Sequence, residues 1–114
     1  GIPIAAQESV EDMVPVPSEM VRGIDGAFLL RVRGDSMTGD GILPRDLVVI
    51  RPQQSAVQNE LVAVMIEDEA TVKRINYAPD GIKLMSSNPA YMPIEIHPEE
   101  RSFVIGKVIG LIRD

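Results

Sequence analysis

With 114 residues, the chain is long enough to enclose one hydrophobic core and too short for two. A net charge of −6 argues against the clustered cations that grip nucleic-acid phosphates, and the absence of cysteine removes disulfides, thiol nucleophiles and thiolate metal sites together. Apolar residues make up 45 % of the chain but aromatics only 4 %, so the core must be built from Val, Ile, Leu and Met, a β-branched bias that favours sheet over helix.

Taken in chain order, residues 1–19 carry Pro3, Pro15 and Pro17 among Glu8, Glu11 and Asp12 with no sustained periodicity. They read as an extended arm, and residues 20–114 as the folded domain. Asp25-Gly26 is a turn signal leading into a strand over residues 27–33, and Thr38-Gly39-Asp40-Gly41 forces a compact turn or short helix. Residues 47–50 form a short buried strand ended by Pro52. Residues 61–66 form a second strand, and Glu67-Asp68-Glu69 reverses it into a partner over 70–75. Pro79-Asp80-Gly81 precedes a strand at 82–85, Asn88-Pro89 opens a loop, and residues 92–96 alternate weakly. The last strand, 103–112, is interrupted by Gly106 and Gly110, a pattern of bulge or twist. Many short strands with turns between them predict a mostly β domain, a barrel or packed sheets. The apolar runs are too short to cross a bilayer, and the chain opens without the basic and apolar blocks of a signal peptide, so a soluble cytoplasmic domain is expected.

The candidate for chemistry is Ser36, at the end of the 27–33 strand in a turn bounded by Gly34 and Asp35. A serine hydroxyl needs a positioned base and donors for an oxyanion before it attacks at neutral pH. The single histidine, His97, precedes Pro98 in an acidic stretch and reads as a surface or turn residue rather than a triad member. Three lysines remain, Lys73, Lys83 and Lys107. Alternation along 70–75 puts Thr71, Lys73 and Ile75 on one face, beside an apolar partner strand that would exclude water. Two readings of Lys73 stand. It is a buried amine that burial helps to keep neutral, with Thr71 orienting it, or it is a solvated lysine guarding an edge strand. Asp35, Asp40 and Asp46 do not make a calcium loop, because Met37 and Gly39 occupy positions that need oxygen ligands, and residues 106–110 lack phosphate-loop spacing. No cofactor or metal is expected.

Gly34-Asp35-Ser36-Met37 followed by Glu69-Ala70-Thr71-Val72-Lys73-Arg74 resembles the Ser-Lys self-cleaving domain of the LexA repressor family, which UmuD-type mutagenesis proteins and lambda-type phage repressors share. The likeness extends to Gly1-Ile2-Pro3-Ile4-Ala5-Ala6, Glu11-Asp12, Asn88-Pro89, Pro93-Ile94 and Gly106-Lys107-Val108-Ile109-Gly110. Ser-x-Met alone would also admit signal peptidases, which carry membrane anchors.

The resemblance implies the LexA and signal-peptidase type of β fold, in which Ser36 attacks an Ala-Gly bond of its own chain after neutral Lys73 takes its proton. It implies backbone N–H groups of Ser36 and Met37 as the oxyanion donors, Thr71 as support for the lysine, and Gly1 as the amino terminus left by cleavage. On that reading the chain looks like the product, lacks the bond to be cut, and acts in trans if at all. The family further implies a preceding winged-helix domain that binds operator DNA, a homodimer through the strand between Lys107 and Ile112, and the RecA filament as the stimulus. Alternatives are a processed UmuD-like polymerase subunit and a non-enzymatic β domain that only dimerises or binds peptides.

Overall fold

The computed structural model describes residues 26–114 and the backbone of residues 12–14. The strands are β1 (Asp12–Val14), β2 (Phe28–Arg31), β3 (Leu47–Pro52), β4 (Leu61–Ile66), β5 (Glu69–Ala78), β6 (Gly81–Met85), β7 (Ile94–Ile96) and β8 (Ser102–Ile112). One turn of 3-10 helix, Thr38–Asp40, lies between β2 and β3, and there is no α-helix among the described residues. All the strand pairs are antiparallel and join one sheet in the order β1-β2-β3-β8-β4-β5-β6-β7. The fold is therefore the mostly β domain expected. No helix among the described residues is long and apolar enough to cross a membrane.

Alternation makes β4 the spine. Leu61, Ala63 and Met65 join a cluster with Leu30, Val32, Met37, Ile42, Val48, Ile50 and Val72. Val62, Val64 and Ile66 point the other way, into a cluster with Ile75 and Leu84. A strand covered on both faces reads as a continuous apolar run, as residues 61–66 do. The β4–β5 hairpin closes through Glu67 and Asp68, with φ of 46° and 72°, directly after Ile66 pairs with Glu69. Two successive positive φ values match the handedness of a tight hairpin turn to the twist of its strands.

Several details differ from the sequence reading, among them β2, which stops at Arg31, and β5, which runs on to Ala78. Asp12–Val14, within the expected arm, pairs with β2 from Asp12 opposite Arg31 to Val14 opposite Leu29; the other residues of the arm and its boundary near residue 20 lie outside the described residues. β3 continues through Pro52, which sits opposite Gly106 at the strand's end, where a missing donor costs least. β7 begins only at Ile94, since Met92 is exposed and Pro93 has no N–H for a ladder.

Asp46 closes the segment between β2 and β3. Its carboxylate is buried, accepts from Leu43 N–H at 2.7 Å, and takes Arg113 Nε at 2.8 Å and Nη2 at 2.7 Å. The Arg113 hydrogen bonds, partly opposed by burial, hold the Asp46 carboxyl below its ordinary pKa. A carboxyl depressed in the folded state adds stability that is complete above its unfolded value, about 3.9, and is lost as pH falls through the folded value. Asp46→Asn is expected to cost about 2 kcal/mol at pH 7, the size of a hydrogen-bonded charge. It should also flatten the fall in urea midpoint between pH 5 and pH 2, in urea titrations across that range.

Candidate active site

The turn after β2 delivers Ser36. Gly34 has φ of 79°, a left-handed conformation that lets the chain reverse sharply without a Cβ clash. Behind it Met37 fills the first cluster at 3 % exposure and acts as an apolar anchor that draws Ser36 inward, to 3 % exposure as well. Lys73 comes from β5, pairs there with Val62 of β4 just before the β5–β6 ladder begins at Arg74, and is fully buried rather than solvated. The reading of this lysine as a solvated edge residue is thus overturned.

Lys73 Nζ lies 3.0 Å from Ser36 Oγ, 2.9 Å from Thr71 Oγ1 and 3.1 Å from the Val72 carbonyl oxygen. Thr71, two residues back on the same face, is buried too. A neutral amine carries two hydrogens and one lone pair. Thr71 Oγ1 and the Val72 carbonyl suit the hydrogens, and the lone pair can then meet the Ser36 hydroxyl proton. Val62, directly opposite Lys73 in the β4–β5 register, is completely buried and keeps bulk water from the amine.

The N–H groups of Ser36 and Met37 donate to no described residue, whereas the carbonyls around them are taken. Ser87 N–H donates to the Ser36 carbonyl at 3.0 Å, and Asn88 Nδ2 to the Asp35 carbonyl at 2.9 Å. Gly39 N–H donates to the Ser87 carbonyl at 2.8 Å, Asp40 N–H to Ser87 Oγ at 3.1 Å, and Tyr91 O–H to Asp35 Oδ1 at 2.7 Å. The far end of the turn is tied to the lysine's own strand, because Arg74 Nη2 meets Asp40 Oδ1 at 2.6 Å. Burial pushes the Asp40 carboxyl up, but hydrogen bonds from Arg74 and Ser87 and the guanidinium charge outweigh it, leaving the pKa below its ordinary value.

Of the residues singled out in the sequence, Ser36, Lys73, Thr71 and the backbone of Met37 converge. Gly1 lies outside the described residues. His97 is exposed in the turn after β7, far in sequence from the strands that carry the pair, and makes its backbone contact with Glu100. Lys83 and Lys107 face Glu95 at 4.0 Å and Glu60 at 3.3 Å. Sequence reasoning missed Asp40, Arg74, Ser87, Asn88 and Tyr91. The signal available was Asn88-Pro89, which marked a loop but not what the loop would hold. Among the described residues no cluster of His, Cys, Asp and Glu is arranged to hold a metal ion.

Ser36 Oγ, the buried Lys73 amine and two backbone N–H groups that no described residue claims thus lie together. The chain is 49 % identical over 115 residues to the LexA repressor of Bacillus mycoides, covering 100 % of this chain and 55 % of the relative. The LexA repressors of Bacillus anthracis and Anaeromyxobacter dehalogenans are 48 % and 45 % identical over 115 residues, covering 100 % and 99 % of this chain and 54 % and 50 % of theirs. The chain thus spans about half the length of the curated relatives it matches. Residues 1–109 match the peptidase S24-like family, and the chain belongs to that family.

Proposed function

We propose that this chain is the self-cleaving and dimerising part of a LexA-like repressor, with Ser36 as nucleophile and Lys73 as its base. The observation that carries the reading is the 3.0 Å contact between Lys73 Nζ and Ser36 Oγ inside a buried pocket. Neutral Lys73 accepts the hydroxyl proton as Ser36 Oγ bonds to the carbonyl carbon of the peptide to be cut. The Ser36 and Met37 N–H groups stabilise the oxyanion. When the C–N bond breaks, the Lys73 ammonium returns its proton to the departing amine, leaving an ester on Ser36 that water then hydrolyses with the amine again as base. By resemblance to the family, the bond is an Ala-Gly bond whose nitrogen belongs to Gly1. The same resemblance assigns stimulation to the RecA filament and operator binding to a DNA-binding domain outside this chain, in keeping with the net charge of −6 here.

The dimer reading has its own support. β4 pairs with β8 only as far as Lys107, so the Val108 to Ile112 half is paired on one side, to β3. Ile109 and Leu111 lie in that half with large apolar side chains exposed. A strand half with an open edge and apolar side chains suits self-pairing across a two-fold axis.

The dyad is tested without any cleavable bond by incubating the chain with an alkyl fluorophosphonate. Ser36 Oγ bonds to phosphorus, fluoride leaves, and Lys73 takes the hydroxyl proton. One adduct is expected by intact mass, mapped to Ser36. Ser36→Ala should give none; equal labelling of that variant, or an adduct elsewhere, would refute the dyad.

A further inference from the structure

The loop after β6 does more than support the nucleophile turn. In a trans peptide the carbonyl and the following N–H point in opposite directions across one rigid plane. Whatever holds the Asp35 carbonyl therefore aims the Ser36 N–H, and whatever holds the Ser36 carbonyl aims the Met37 N–H. The first carbonyl accepts from Asn88 Nδ2 at 2.9 Å and, at a weaker 3.4 Å, from Thr38 N–H. The second accepts from Ser87 N–H at 3.0 Å. The loop thus takes the two carbonyls and leaves the two N–H groups facing away from it, unclaimed by any described residue.

We infer that Asn88 is a positioning residue for the oxyanion site: its side-chain amide fixes the Asp35–Ser36 peptide plane so that the Ser36 N–H points at the developing negative charge. Its other amide atom is committed to holding the loop, since Asn88 Oδ1 accepts from Ala90 N–H at 2.9 Å. Both ends of the amide are therefore used, one to shape the loop and one to aim the peptide. Gly39 brings the loop this close. A Cβ there would run into the Ser87 carbonyl oxygen and lie 3.1 Å from the Ser87 carbonyl carbon.

The inference rests on the Ser36–Lys73 reading and is separable from it. Asn88→Asp keeps the oxygen that caps Ala90 and loses the donor to the Asp35 carbonyl. With the fluorophosphonate probe, the maximal labelling rate constant should fall by about tenfold or more, up to the roughly hundredfold cost of removing an oxyanion donor outright, because the N–H is misaimed and not lost. The half-saturating probe concentration should stay at the wild-type value, because the probe's binding groups are not altered. Asn88→Ala should be slowed likewise. Wild-type labelling that Ser36→Ala abolishes, together with a fully folded Asn88→Asp that labels at the wild-type rate, would overturn the inference and leave the dyad standing. Absence of Ser36 labelling in the wild type would overturn both. Should the variants fail to fold, NMR of the wild type decides: on phosphonylation the Ser36 and Met37 amide protons move downfield, and unmoved resonances overturn the proposal.

Discussion

Replacing Lys73 with Met, and Thr71 with Val beside it, is expected to abolish phosphonate labelling of Ser36 while raising the urea midpoint of unfolding. The loss of reactivity follows from the geometry at Nζ. With no lone pair 3.0 Å from Ser36 Oγ, nothing accepts the hydroxyl proton, and the rate should fall by about a thousandfold or more, as when one member of a catalytic pair is removed. The gain in stability follows from burial. Lys73 is fully buried among Val62, Ile75 and Thr71, and its polar head must be removed from water on folding. Met alone would leave Thr71 Oγ1 without its donor at 2.9 Å; the double change removes that pair, and the loss of the amine at Ser36 Oγ and at the Val72 carbonyl is set against the desolvation that is relieved. Exchanging a buried polar group for a well-packed apolar one of similar volume stabilises by about 1–2 kcal/mol in comparable settings. A urea midpoint that falls instead would make Lys73 a structural strut.

That opposition of reactivity and stability also accounts for what was legible in advance. Apolar runs revealed β4 and its hairpin mate because both faces of β4 are covered, and period two alone put Thr71 and Lys73 on one face. Periodicity carries no information about which strands lie at the rim of a sheet. A lysine in an apolar strand therefore reads from the sequence as a guarding edge residue as well as a buried amine, and the complete burial of Lys73 decides between them. The braces were illegible for a related reason. Asn88 reaches Asp35 across 53 residues and Arg113 reaches Asp46 across 67. Contacts at such separations leave no local pattern, and Asn88-Pro89 announces only that the chain turns. Asp12–Val14 was hidden by its length, three residues being too few to show alternation.

Gly106→Ala is expected to be the most damaging single methyl in β8, and Gly110→Ala among the mildest, although the two glycines look alike in the sequence. Gly106 lies where β8 passes between β3 and β4, opposite both Pro52 and Ala63 and beside the shift of register at Ala63 and Val64. A Cβ at Gly106 would collide with Ile50 Cγ2 and lie 2.6 Å from the Arg51 carbonyl oxygen. Ile50 is fully buried and Arg51 belongs to the paired strand, so neither can retreat without separating β3 from β8. Overpacking of this kind costs about 3 kcal/mol, and more where backbone must move. At Gly110 the nearest atom to a new Cβ is Val49 Cγ2 at 3.4 Å, an ordinary contact, so the cost should stay below about 1 kcal/mol. Urea denaturation of the two variants side by side measures the difference. Equal midpoints would mean that β8 can slide across the β3–β4 junction, and the close approach at Gly106 would then not set the join between the two sides of the sheet.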